Sequence, residues 1–396
     1  MHDPTRPFLV IYVAWHPDFA GGAEIAEALR EHFRRKHYEN VAGGTGLSII
    51  FRSTPAHNAS APIPIDLDEA ETTAIVVLVE SNLSADTNWI HYVRELEDRA
   101  EAVGLGSRVF PVALEASAVK TGISAQALRW DKWNGTPAEL RQRLIRELTY
   151  QFCRMLRHYL EHLKRPEEED AALEAYLKKV QVFLSHSKHD ADGERIAHAI
   201  RDRLHDGQGG TGLSSFFDVH DIPPGLRFQK VLFLQVKLSA VVAVHTDSYS
   251  SREWCRREII EAKRWNVPLV IANCISSMDE RGFPYMGNVP VVRMDPHGTG
   301  RIDFVIGRLL DEVLKDFLWH CRIELTGAAA GPAVIFLPRP PELISLAGLP
   351  AATAVPEPVI VYPDPPLSAE EERLFEEVAP HVRLRSLTEW LAGATL

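Results

Sequence analysis

The chain has 396 residues, 45% apolar and 24% charged, with a formal net charge of −11. That length accommodates about two to three domains, and the acidic balance argues against a broad nucleic-acid footprint, though not against a small anionic ligand met by local donors. No stretch approaches about eighteen uninterrupted apolar residues, so no membrane span is expected. The N-terminal MHDPTRPFLVIYVAWHPD lacks a basic region ahead of its apolar run, which argues against a secretory signal and for a cytoplasmic chain. Cys153, Cys255, Cys274 and Cys321 show no CxxC spacing, so neither a metal site nor a disulfide framework is expected.

The first element is FLVIYVAWHPD (Phe8 to Asp18), an apolar run ending in a polar turn, which reads as a buried parallel strand. Ile25, Leu29 and Phe33 recur at helical spacing and predict an amphipathic helix. The stretch GGTGLS (Gly43 to Ser48) leads into a second strand, SIIF, and AIVVLVESNLS (Ala74 to Ser84) reads as a strand running into a polar loop. Trp89 follows, then VFPVAL as a further strand, and GTPAELRQRLIREL from Gly135 opens a long helix. KRPEEEDAALEAYLKK is charged, poor in large apolar residues and starts near a proline, as a helical linker does.

The same sequence of signals then returns. VQVFLSHSKHD (Val180 to Asp190) is again a strand and polar turn, and Ile196, Ile200 and Leu204 repeat the helical stripe. GGTGLS recurs at Gly209 to Ser214 ahead of SSFFD, then come AVVAVHTDSYS (Ala240 to Ser250), Trp254, VPLVIA and a long helix from Gly298. Six identical residues in matching places mark a duplication. A phosphate loop needs strand, glycines, then helix, whereas GGTGLS lies between a helix and the next strand; a tight turn of glycines is the better reading.

Residues 331–396 differ. AVIFLP, PVIVYP and VRLRS read as strands and SAEEERLFEEVA as a helix, with Ser368 and Glu371 as a capping box. The expected organisation is therefore a first α/β domain over 1–163, a linker over 164–179, a second α/β domain over 180–326, and a small α/β appendage over 327–396. Strands alternating with helices imply parallel sheets.

Chemistry concentrates in the second copy. In SYSSREWCRREIIEAKR, Ser250 and Glu253 fit a capping box, so a helix is expected to start there. On it Trp254 and Glu258 are four apart and share a face, beside an apolar stripe of Cys255, Ile259 and Ala262. That places Glu258 at the core edge near the C-terminal ends of the strands, where ligands gather in open parallel sheets.

VFLSHSKHD, then FFDVHDIPPG, then SREWCRREI, in this order, resembles a bacterial Toll/interleukin-1 receptor (TIR) domain over roughly residues 178–300. The first copy resembles it in layout only. The resemblance implies flavodoxin-like folds with five-stranded parallel sheets in both copies. It also implies cleavage of NAD+ between nicotinamide and ribose, with NAD+ as substrate and no other cofactor, by a glycohydrolase or cyclase of antiphage defence. Glu258 is then the catalytic residue and Trp254 a stacking partner for ribose or base. Ser185 and His186 would line the same mouth, and Asp218 and Asp221 would stand at the start of the gating loop VHDIPPGLRF. His186 also fits a strand-end histidine bonded to backbone, and Asp218 and Asp221 also fit a turn.

The resemblance further implies self-association through TIR domains, with an activating ligand or partner acting through the first copy or the appendage. Counting four from Trp89 gives Val93, and Glu95 falls about 600° around the helix rather than about 400°. The first copy is therefore expected to be degenerate. Two other readings remain: TIR-type assembly modules without turnover, and nucleoside deoxyribosyl transfer.

Overall fold

The computed structural model describes residues 6–34, 46–55, 62–104, 106–116, 122–168, 174, 177, 180–205, 214–216, 234, 236–237, 239–327, 334–347 and 358–393. Two compact units emerge, Met1–Tyr176 with Phe317–Ala329, and Leu177–Asp316 with Ala330–Leu396.

The first unit runs β1 (Leu9–Trp15), α1 (Gly22–Phe33), β2 (Ser48–Arg52), β3 (Thr72–Val79), α2 (Ser81–Ala85), α3 (Thr87–Val103), β4 (Ser107–Ala113) and α4 (Pro137–Lys164). Its sheet is parallel, in the order β2-β1-β3-β4. Every residue of β1 and β3 is buried, as continuous apolar strands require when helices cover both faces. Ile25, Leu29 and Phe33 form the buried stripe of α1 as spaced. Asp86 caps α3 by accepting from the backbone N–H groups of Asn88 and Trp89. Thr136 and Glu139 form a capping box at α4, with Pro137 in the first turn. Gly46 is left-handed at φ 73°, and a Cβ there would lie 2.8 Å from the Arg34 backbone, so glycine is required in this turn.

Four strands stand in this sheet, among the described residues, where five were expected. The segment after β4 makes only an isolated bridge, Val112 to Leu128, before a short 3-10 turn at Trp130–Lys132. It folds on itself instead: Arg129 clasps Asp131, and the rings of Trp130 and Trp133 lie 5.8 Å apart.

The second unit runs β5 (Gln181–Ser185), α5 (Ala191–His205), β6 (Ser214–Phe216), β7 (Ala240–His245), α6 (Glu253–Arg264), β8 (Leu269–Asn273), β9 (Val291–Arg293) and α7 (Ile302–Gly327), whose C-terminal part belongs to the first unit. Its parallel sheet has five strands in the order β6-β5-β7-β8-β9. The chain reverses its direction of travel across the sheet at β5, so the crevice at the C-terminal ends of β5 and β7 is the topological switch point.

The chain then forms β10 (Val334–Phe336), β11 (Val359–Tyr362), α8 (Ala369–Val378), β12 (Arg383–Ser386) and α9 (Leu387–Gly393). The three strands are parallel, in the order β10-β11-β12, and Ser368 and Glu371 make the expected capping box. Helix α9 went unread because its seven residues are too few to show a helical period. This appendage meets the end of α6 through a buried ion pair of Lys263 with Glu342 and a 2.6 Å bond from Arg339 to the Asn266 carbonyl. Burial pulls the Lys263 ammonium below its ordinary value, against the pull of Glu342. Removing Glu342 leaves a buried cation with only the Gly287 carbonyl, at 2.7 Å, as a hydrogen-bond acceptor. We expect Glu342→Ala to cost about 3 kcal/mol in urea unfolding, well beyond what an exposed pair would give.

Candidate functional site

The end of β5 and the second turn of α6 converge on one carboxylate. Ser185 is the last residue of β5, and its Oγ donates to Glu258 Oε2 at 2.5 Å. The Tyr249 hydroxyl lies 2.5 Å from the same Oγ. Ser185 has a single proton, already given to Glu258, so Tyr249 must donate to Ser185. Burial, then the nearby Cys255 and Glu258, push the Tyr249 phenol well above its ordinary value; the Ser185 bond opposes this, and the phenol stays protonated. The result is a one-way line of donors, Tyr249 to Ser185 to Glu258, ending on a buried carboxylate. Charge-assisted bonds of this kind are what make burial of an ionised group tolerable.

Further polar groups surround the line. His245 closes β7, with its ring 5.6 Å from Tyr249 and Nε2 at 3.0 Å from Asp279 Oδ2 and 3.2 Å from Ser250 Oγ. Ser250 donates to the same Asp279 oxygen at 2.9 Å. Both partners meet one nitrogen, so this is no relay through the imidazole; it braces the turn that carries Tyr249. Burial raises the Asp279 carboxyl, but bonds from Ser250 and the Arg281 and Gly282 backbone, with His245 alongside, outweigh it and hold the group low. On the other side Asp190 caps α5, accepting from the Asp192 and Gly193 N–H groups and from Ser248. Its carboxyl also lies low, because those bonds together with Thr246 exceed the opposing effect of burial.

The expected site residues divide into three groups. Ser185 and Glu258 meet directly. His186 is adjacent and buried, with Nδ1 3.4 Å from the Leu184 carbonyl, while its own carbonyl accepts from the Cys255 thiol at 3.5 Å. Asp218 and Asp221 lie outside the described residues. Trp254 does not share the buried face: it is 42% exposed against 8% for Glu258, and Arg257 stacks on its ring at 4.7 Å. The i, i+4 offset rotates the two by about 40°, enough in the first turn of α6 to carry the indole off the core.

The Ser250–Glu253 capping box does not form. Helix α6 starts at Glu253 behind Arg252, with no side-chain cap, because the Ser250 hydroxyl is committed to Asp279. Tyr249, His245 and Asp279 were missed; a tyrosine in a polar loop carries no sequence signal of what it will meet.

The two units align through burial. In α3 the buried positions include Trp89, Tyr92, Val93 and Leu96; in α6 they are Cys255, Glu258, Ile259 and Ala262. Each pair differs by 166, the offset of the two GGTGLS stretches (209 less 43). Trp89 thus corresponds to Cys255, not Trp254, and the counterpart of Glu258 is Tyr92 rather than Val93. Strand register pairs Ala14 with Val77 as Ser185 pairs with Ala243, and Leu83 stands four past its strand end as Tyr249 does. The polar line of the second unit is Ala14, Leu83 and Tyr92 in the first.

A five-stranded parallel sheet with a polar crevice at its switch point defines a flavodoxin-like α/β domain. Residues 182–289 match the family model of the TIR domain, so the second unit carries a TIR domain. No curated protein matches the chain. Among the described residues no cluster of three or more metal-ligating side chains exists, and no helix is long and apolar enough to cross a membrane.

A carboxyl held low in the fold lends stability that is complete above its ordinary value of 3.8 and is lost as pH falls through the lower folded value. The urea midpoint of the intact chain should therefore drop below about pH 4. Asp279→Asn should flatten that part of the profile while lowering the midpoint near neutrality.

Proposed function

We propose that the second unit is an NAD+ glycohydrolase or cyclase whose catalytic group is Glu258. The observation that carries this reading is the buried Glu258 carboxylate, fixed by Ser185 at the C-terminal edge of the parallel sheet. The bond from nicotinamide nitrogen to ribose C1′ breaks, and its electron pair leaves with nicotinamide as a neutral molecule, so no strong general acid is needed. Positive charge develops on the ribose and an oriented carboxylate opposes it, through space or through the ribose hydroxyls. Water adds to C1′ and releases a proton, giving ADP-ribose; attack by a nitrogen of the adenine gives a cyclic isomer instead. Tyr249 and Ser185 position the carboxylate, and their neutral hydroxyls leave its charge intact. Self-association is part of this reading, as is a trigger acting through the first unit, which we read as a degenerate TIR-like copy. So is a role in antiphage defence, with Trp254, Asp218 and Asp221 around the substrate.

A second reading makes the chain an assembly module without turnover. What favours it is the exposed Trp254 with Arg257 stacked on it, a pairing suited to protein contacts.

Mass spectrometry of NAD+ incubated with concentrated protein separates the two. Wild type should release nicotinamide. Glu258→Gln should lower kcat by about 100-fold or more, and Ser185→Ala should lower kcat more than it changes KM. Release undiminished in Glu258→Gln removes the assignment. No release from assembled wild type leaves the assembly reading.

A further inference from the structure

A cavity of about 290 Å³ opens in the first unit, lined by Trp15, Phe51, Arg52, Ser53, Thr54 and Ile63. It lies at the C-terminal ends of β1 and β2, the edge of the sheet where ligands of such folds bind, and its volume is near the lower bound of ligand pockets, about 300 Å³. We infer that this cavity is a binding site for a nucleoside monophosphate, held without turnover.

Arg52 carries the argument. Its guanidinium stacks on the Tyr12 ring at 4.9 Å and donates Nη1 to the Phe51 carbonyl at 3.1 Å. Its Nε is buried with no hydrogen-bond acceptor among the described residues. Glu69 accepts from the hydroxyl of Tyr12, the ring on which Arg52 stacks. A guanidinium has five donors in a planar fork that suits phosphate, and Arg52, which lines the cavity, spends one of them on the Phe51 carbonyl. In the sequence, Arg52 plus the offset of 166 falls on an acidic residue, Asp218, which lies outside the described residues. The strand registers support the same count, since Val10 pairs with Ser48 as Gln181 pairs with Ser214.

The rest of the lining fits a nucleoside. The edge of Trp15 is fixed: a Cβ on Gly22 would fall 2.1 Å from its ring, and Phe51 meets it edge-on at 5.4 Å. Trp15 and the exposed Ile63 give an apolar wall for a base, and the Ser53 and Thr54 hydroxyls stand between it and Arg52 along the chain for a sugar. No carboxylate takes the place of Glu258, since its counterpart is Tyr92, and Ala14 and Leu83 replace the hydroxyls that would hold one. Such a unit retains a cleft and has lost the reacting group, which makes binding itself the output.

The test is calorimetric titration of the full chain with adenosine monophosphate, adenosine, ribose 5-phosphate and inorganic phosphate. Adenosine monophosphate should bind saturably, with adenosine and inorganic phosphate each at least about tenfold weaker. Arg52→Gln should remove one bound nucleotide per chain, or weaken that site at least about tenfold. Ile63→Glu, a rim change that asks nothing of the fold, should do the same by setting a charge against the apolar wall that holds the base. Melting temperatures measured alongside should match wild type for Ile63→Glu. Undiminished nucleotide binding in both variants, no saturation at millimolar nucleotide, or inorganic phosphate binding as tightly as the nucleotide would overturn the inference. The binding lost on Arg52→Gln and Ile63→Glu reads the first unit, whatever the second unit binds; loss of nicotinamide release in Glu258→Gln is a separate result and leaves it unaffected.

Discussion

A buried carboxylate must be paid for in hydrogen bonds, and that constraint organises the second unit. Glu258 sits at the core edge because α6 presents one face to the sheet, and on that face Cys255, Ile259 and Ala262 are apolar. A charge among them is tolerable only where donors reach it. Ser185 reaches it because β5 ends there, and Tyr249 reaches Ser185 because the turn after β7 is pinned by Asp279, Ser250 and His245. Strand ends, a turn and a helix start are thus tied to one oxygen. Any ligand at this crevice meets a carboxylate whose orientation is set before it arrives, which is what pre-organised charge stabilisation requires.

The first unit shows the same frame with that constraint lifted. Ala14, Leu83 and Tyr92 stand where Ser185, Tyr249 and Glu258 stand, and they join one apolar cluster with Trp89 and Val93. Burying methyl groups and rings there needs no donors, so the unit retains its fold without the polar line. The charge that remains at its sheet edge is a cation, Arg52.

Much of this was legible in the residues. The strands of both units, the stripes of α1 and α5 and the Ser368 box follow from periodicity and capping, which are local. Glu258 and Ser185 stood out through their place at the strand ends. Three expectations gave way to side-chain contacts that spacing alone does not show. Ser250 fits a helix cap until Asp279, 29 residues on, takes its hydroxyl. Trp254 shares a face with Glu258 by spacing, yet it stands exposed with Arg257 stacked on its ring. The fifth strand of the first sheet gives way to a turn closed by Arg129 and Asp131.

The sequence by itself determined the alternation of parallel strands and helices, the repeated GGTGLS at an offset of 166, the small α/β appendage, and the place of Glu258 at the core edge, because each depends on spacing along the chain. Only the tertiary structure decided which side chains serve that carboxylate, and that Tyr92 rather than Val93 stands in its place in the other copy. A hydrogen bond across 64 or 73 residues depends on where two strand ends and a helix meet in space, and no periodicity encodes that meeting.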